Sequence, residues 1–113
     1  MSNIVSLNRH NEIAVICVDN PPVNAISHAV RAGIVDALGE AVADDSVSAI
    51  VLHCAGRTFI AGADITEFGK PMKEPGLNDV VNALEDSPKL VVAAIHGTAL
   101  GGGLEVALGC HYR

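Results

Sequence analysis

The stretch Leu90-Val91-Val92-Ala93-Ala94-Ile95-His96-Gly97-Thr98-Ala99-Leu100-Gly101-Gly102-Gly103-Leu104-Glu105-Val106-Ala107-Leu108-Gly109-Cys110 decides how the whole chain is read. Its apolar run from Leu90 to Ile95 predicts a strand buried on both faces, and Leu104, Ala107 and Leu108 resume at helical spacing after three glycines. Three adjacent glycines permit a sharp turn and leave backbone N–H groups uncovered by side chains, while the helix start adds a positive dipole end. That combination can hold a developing negative oxygen. It would serve equally for close packing of a helix on a strand. Glu105 also has two readings: a carboxylate beside an anion-stabilising turn, or, with Gly102 as cap, a first-turn glutamate folding back on the leading N–H groups.

Outward from this stretch the chain alternates strands and helices. Ile4 to Leu7 and Ile13 to Val18 predict an antiparallel hairpin joined through the polar group Asn8 to Glu12, with the second, almost wholly apolar strand central. Asn20-Pro21-Pro22 stops that strand, and Ser27 caps a helix whose apolar positions are Val30, Ile34, Ala37, Leu38, Ala41 and Val42, ending near Ala43-Asp44-Asp45. Val47 to Leu52 predicts another buried strand, and Ala55 to Asp64 a loop of small residues. Lys70 and Lys73 stand among Gly69, Pro71, Pro75 and Gly76 in a surface loop before a helix carrying Leu77, Val80, Val81 and Leu84, closed by Pro88. The order strand, strand, helix, strand, loop, helix, strand, helix is that of an α/β domain with right-handed crossovers between parallel strands.

With 113 residues, half of them apolar, the chain supports one domain, residues 1–113, with a real core. A net charge of -6, with only Phe59, Phe68 and Tyr112 as aromatics, argues against nucleic-acid binding. Cys17, Cys54 and Cys110 are odd in number and lack the paired spacing of a zinc site or disulfide framework, which fits a reducing compartment. No apolar run approaches membrane-spanning length and the N-terminus lacks a signal-peptide pattern, so a soluble intracellular protein with no membrane partner is expected.

Familiar glycine motifs fail here. Val106 occupies the place of the third glycine of a dinucleotide fingerprint, no Lys-Ser/Thr pair follows the glycines as a P-loop requires, and no serine sits in a nucleophile elbow. The five histidines are scattered, without metal-ligand spacing, so no metal is expected; His96 and Cys110 read as core or near-core fillers. Taken alone, Asp64 is an ordinary turn aspartate and Lys70 and Lys73 are solvated charge.

Three segments in order, Asn20-Pro21-Pro22-Val23-Asn24-Ala25-Ile26-Ser27, Phe59-Ile60-Ala61-Gly62-Ala63-Asp64-Ile65 and His96-Gly97-Thr98-Ala99-Leu100-Gly101-Gly102-Gly103-Leu104-Glu105, resemble the enoyl-CoA hydratase/isomerase (crotonase) family. The wording through Gly103 to Arg113 looks most like the N-terminal hydratase part of bifunctional β-oxidation enzymes and their bacterial relatives. The resemblance implies an α/β crotonase-like fold of repeated ββα units, of which this chain carries the N-terminal half, with an open sheet edge that could self-associate. It implies addition of water to a 2-enoyl-CoA through an oxyanion-stabilised enolate; a noncatalytic acyl-CoA-binding fragment and an isomerase are the alternatives. The matching oxyanion donors are the N–H groups of Ala63 and Gly102, and Glu105 matches the first catalytic glutamate. Ala61, Ala63, Asp64, Ile65, Thr66 and Gly102 match segments lining the CoA cleft, as do Pro22 and Val23, while Lys70 and Lys73 could approach the CoA phosphates. The family's second glutamate follows the third segment and has no counterpart up to Arg113. The resemblance implies no cofactor in this chain, NAD belonging to a dehydrogenase half outside it, and a cytoplasmic location in a bacterium or a peroxisomal one in a eukaryote.

Overall fold

The structure is a computed structural model that describes residues 4–62, 67, 69, 71 and 73–113. Its elements are β1 (Val5–His10), β2 (Ile13–Val18), α1 (His28–Ala43), β3 (Ala49–Cys54), α2 (Leu77–Glu85), β4 (Leu90–Ala94) and α3 (Gly102–Gly109). The four strands form one sheet in the order β1-β2-β3-β4. β1 and β2 pair antiparallel, from Val5 opposite Val18 to His10 opposite Ile13, whereas β2, β3 and β4 run parallel. The hairpin, the central place of β2 and the parallel crossovers therefore match the sequence reading.

Strand boundaries differ from expectation where polar residues alternate with apolar ones. β1 continues through Asn8 and Arg9 because these side chains point to solvent on an edge strand, and the turn is reduced to Asn11-Glu12, with Asn11 at φ 56. β3 starts at Ala49, two residues after Val47, which is buried in the preceding turn.

The core lies on one face of the sheet. Ala14, Ile16, Val18, Ile50, Leu52, Cys54, Val91 and Ala93 alternate inward and are almost wholly buried. Against them pack α1, through Val30, Ile34, Ala37, Leu38 and Ala41, and α2, through Val80 and Leu84. Gly33 lets α1 approach β1 closely, since a β-carbon there would stand 2.6 Å from the Val5 side chain. Ser27 caps α1 as predicted, its Oγ accepting from the Val30 N–H at 3.3 Å, and Lys89 closes the other end by donating to the carbonyls of Ala41 and Asp44.

The other face is less covered, and this corrects the expectation for β4. Leu90 is 51% exposed, Ile95 is 40% exposed, and Val92 and Ala94 are half-buried. β2 and β3 show the same alternation, buried residues on one face and half-buried ones on the other. An unbroken apolar run signals that both faces are apolar; it does not supply the second layer that would bury them.

α2 ends at Glu85, three residues before Pro88, and the C-terminal residues return to the sheet. There His111 accepts the Val91 N–H at Nδ1 and donates through Nε2 to the Glu85 carbonyl, while Tyr112 bridges to Val92. Among the described residues no helix is long and apolar enough to cross a membrane.

Candidate active site

The three sequence segments meet around residues 60–62. The Ala61 N–H donates to the Val23 carbonyl at 3.0 Å, and the Ile26 N–H donates to the Gly62 carbonyl at 3.0 Å, which ties the second segment to the first. On its other side the Gly62 N–H donates to the Leu100 carbonyl at 3.0 Å and the Leu100 N–H to the Ile60 carbonyl at 3.3 Å, a short parallel bridge that ties it to the third. Further back, the Phe59 N–H donates to His96 O at 2.9 Å, and the Thr58 hydroxyl donates to Thr98 O while accepting the Thr98 N–H.

Two glycines of the third segment owe their identity to this convergence. Gly97 has φ 67, and a β-carbon there would run into the Arg57 carbonyl oxygen. On Gly103 a β-carbon would overlap the Ile60 carbonyl. The packing reading of the triplet is served by Gly103, which stands against the Ile60 backbone.

Gly101, at φ 53 and ψ -122, is the N-cap of α3, and Gly102 is its first helical residue. The turn is one residue earlier than a Gly102 cap would place it. Among the described residues no group accepts a hydrogen bond from the Gly102 N–H, whereas the Gly103 N–H is taken by Leu100 O and the Glu105 N–H by Gly101 O. A leading helix N–H without an intrahelical partner, at the positive end of the dipole, suits an oxyanion.

Glu105 lies three residues beyond Gly102 and so on the same face of α3. It is exposed, and its carboxylate makes no hydrogen bond or ion pair with a described residue. The fold-back cap is therefore not formed; with Gly101 as cap, Glu105 sits one position too far along the helix for it.

Of the other expected site residues, Ala61 is half-buried and Pro22 and Val23 are exposed, adjoining one another through the Ala61–Val23 hydrogen bond. Ala63, Asp64, Ile65 and Thr66 lie outside the described residues, as does Lys70. Lys73 is described and exposed. His96 lies near the core and not in it: it is half-buried, its ring stacks on His53 with centroids 5.5 Å apart, and its Nε2 meets Gly56 O at 2.8 Å. Cys110 is buried as expected, and burial pushes its thiol up to about 11. No group of three or more His, Cys, Asp or Glu among the described residues could hold a metal ion.

Several positioning residues went unread in the sequence. Asn24, 2% exposed and at φ 54, accepts the Asn20 N–H through Oδ1 and donates through Nδ2 to the carbonyls of Ala55 and Thr58. It fastens the first segment to the loop that carries the second. Arg31, 6% exposed, sits in the buried stripe of α1 and reaches Glu67. Arg31 carries no local motif; Asn24 lies within the first segment, and its local signal is an asparagine two residues after Pro-Pro, tolerant of positive φ.

Comparison with known proteins agrees with this geometry. The sequence model described as enoyl-CoA hydratase/isomerase matches residues 8–113. The peroxisomal bifunctional enzyme of Danio rerio is 48% identical over 101 residues, covering 89% of this chain and 14% of that protein. The human peroxisomal bifunctional enzyme is 50% identical over 105 residues, covering 92% and 14%. A Bacillus subtilis (strain 168) protein described as a probable enoyl-CoA hydratase is 40% identical over 119 residues, 98% of this chain and 46% of its own length. The chain thus spans about half of that relative and a much smaller part of the bifunctional ones.

Among solved structures, an enoyl-CoA hydratase/carnithine racemase from Magnetospirillum magneticum superposes with a TM-score of 0.87 at 29% identity, covering 98% of this chain and 45% of that one. An enoyl-CoA hydratase subunit from Geobacillus kaustophilus HTA426 gives 0.85 at 33% identity, covering 96% and 44%. The architecture is about half of a crotonase-like α/β fold.

Proposed function

The chain belongs to the enoyl-CoA hydratase/isomerase family, and we propose that it supplies the oxyanion site and first carboxylate of a hydratase acting on 2-enoyl-CoA thioesters in fatty-acid β-oxidation. The observation that supports this reading is the convergence of the three segments, with Gly101 against Gly62 and the Gly102 N–H, without an acceptor among the described residues, one turn from Glu105.

In the proposed reaction Glu105 takes a proton from a water molecule as its oxygen bonds to the β-carbon. The β-carbon's π electrons move toward the α-carbon and the thioester carbonyl becomes an enolate. The Gly102 N–H and that of Ala63 hold the enolate oxygen, where fixed donors stabilise the transition state more than the neutral ground state. A proton then reaches the α-carbon from an acid that we place outside these residues. The CoA thioester is substrate, no further cofactor enters these steps, and NAD belongs to a dehydrogenase portion of the bifunctional relatives. We assign the chain to the cytoplasm in a bacterium or the peroxisome in a eukaryote, with Pro22, Val23, Ala61 and residues 63–66 lining the CoA cleft.

Crotonyl-CoA hydration tests the reading. The chain is expected to consume the conjugated thioester slowly, at a rate that falls about a hundredfold or more in Glu105→Gln, in line with the loss of a general base. Equal rates in the two proteins would contradict it.

A further inference from the structure

Arg31 is a buried cation in the apolar stripe of α1, a position the hydratase chemistry leaves unexplained. Its side chain is 7% exposed and its Nη1 lies 3.3 Å from Glu67 Oε1, whose side chain is 36% exposed. Its remaining bonds go to main-chain carbonyls of two separate segments. Nη1 donates to Ile26 O at 3.2 Å, while Nε donates to Pro75 O at 2.8 Å and Nη2 to Lys73 O at 3.4 Å. His28, one turn earlier on α1, adds a contact of Nε2 with Glu74 O at 2.9 Å. The guanidinium thereby joins the backbone just before α1 to the backbone just before α2.

Both joined segments lead to Gly102. A β-carbon on Gly102 would stand 3.0 Å from Ile26 Cγ2 and 3.5 Å from Leu77 Cδ2, so these two side chains flank the first residue of α3 from different elements. Ile26, 2% exposed, is held at both of its polar groups: its N–H donates to Gly62 O at 3.0 Å and its carbonyl accepts Arg31 Nη1. Leu77 opens α2 two residues after Pro75, and between them the Gly76 N–H donates to the Asp79 carboxylate at 2.8 Å. Among the described residues, Arg31 is the one side chain hydrogen-bonded to the backbone on both sides. A planar fork with several donors can serve these acceptors at once, which a lysine ammonium on its flexible stem cannot reproduce.

Resting on the hydratase reading, we propose that Arg31 is a positioning residue for the Gly102 donor. By tying Ile26 to residues 73–75 it sets the spacing of the two side chains that flank Gly102, and so the direction of that N–H, without touching substrate. Gly102 has no side chain to interlock with Ile26 and Leu77, so their spacing is what confines it on this side. A displacement of about 1 Å at a reacting site is worth about a hundredfold in rate, whereas CoA binding through other contacts is insensitive to it.

The test uses the 113-residue chain, with acetoacetyl-CoA as probe, because an oxyanion site draws this β-keto thioester into its near-ultraviolet-absorbing enolate. Arg31→Lys keeps the charge and loses the fork. Glu67→Gln is the milder variant: it keeps an acceptor for the His28 N–H and removes the charge that faces the guanidinium. Each is compared with the parent for enolate formation, CoA affinity, thermal midpoint and the movement of the Gly102 amide resonance on adding the probe. In Arg31→Lys enolate formation is expected to fall by about tenfold or more and the Gly102 resonance to move less, with CoA affinity held within about twofold. Glu67→Gln should show the same selective fall, smaller in size. Enolate formation and Gly102 movement equal to the parent's in Arg31→Lys overturn the proposal and leave the hydratase reading standing. A parallel fall of enolate signal, CoA affinity and thermal midpoint also overturns it, marking a merely structural group. Should Arg31→Lys not fold, Glu67→Gln decides: a selective fall supports the proposal and parent-like enolate overturns it. If the parent forms no enolate, the hydratase reading fails and takes this role with it.

Discussion

Gly103 of α3 stands directly against the carbonyl of Ile60, so that a β-carbon on it would overlap that oxygen and the Ile60 carbonyl carbon at 2.5 Å. The neighbouring Gly102 is different: a β-carbon there would meet side chains and no backbone, a γ-methyl of Ile26 at 3.0 Å and the Leu77 side chain at 3.5 Å. Gly103→Ala is therefore expected to cost about 3 kcal/mol or more, and Gly102→Ala about 1 kcal/mol, because backbone cannot yield as a side-chain tip can. Denaturant midpoints of the two variants check this, and equal midpoints would be the wrong answer.

Asn24 fastens the first segment to the loop that carries the second through two hydrogen bonds, to the carbonyls of Ala55 and Thr58. Removing its amide leaves the carbonyls of Ala55 and Thr58 without that donor, at a cost of about 1–3 kcal/mol for each buried group left unsatisfied. Asn24→Ala also keeps a β-carbon at φ 54 without the polar side chain that lets asparagine tolerate it, where Asn24→Gly would sit without strain. Both variants should be destabilised in urea, Ala more than Gly by about 1 kcal/mol.

Burial pushes the Cys54 thiol up to about 12 and the Cys110 thiol up to about 11, from an ordinary value of 9.0. The folded state thus binds these protons more tightly than the unfolded chain. The sign follows: their contribution is complete below pH 9 and disappears as pH rises from there through 11 to 12. Unfolding free energy measured from pH 8 upward should fall toward alkali, and less steeply in Cys54→Ala. A slope that Cys54→Ala leaves unchanged would contradict the assignment.

Leu104 and Leu108 lie four residues apart on α3 and are 45% and 56% exposed, next to Leu100 at 58%. Such apolar surface on one short helix is available for association. We predict that the isolated chain self-associates at high concentration, and that Leu104→Lys with Leu108→Lys reduces this in sedimentation without lowering the thermal midpoint by more than a few degrees.

Helix and strand order was legible because apolar period and caps carry it: Ser27 begins α1, the parallel strands are apolar runs, and the glycine triplet starts α3. Motif resemblance added the site to that frame. Coverage of β4 was not legible, since an apolar face says that something can bury it and not what does. Arg31 was missed for a related reason: its stripe position is apolar by periodicity, and only the three-dimensional approach of Glu67, Lys73 and Pro75 explains a cation there. The fold-back of Glu105 was decided by a single residue, the shift of the cap from Gly102 to Gly101, which no propensity rule resolves in a run of three glycines.

The central claim is that the Gly102 N–H is an oxyanion donor, and replacing Gly102 by proline tests it most directly. Proline is tolerated at the first helical position and deletes the N–H, while Gly102→Ala places the same β-carbon against Ile26 and keeps it. With acetoacetyl-CoA as probe, Gly102→Pro should lower enolate formation about a hundredfold or more relative to Gly102→Ala, the scale of one lost oxyanion donor. Equal enolate formation in the two folded variants would contradict the account.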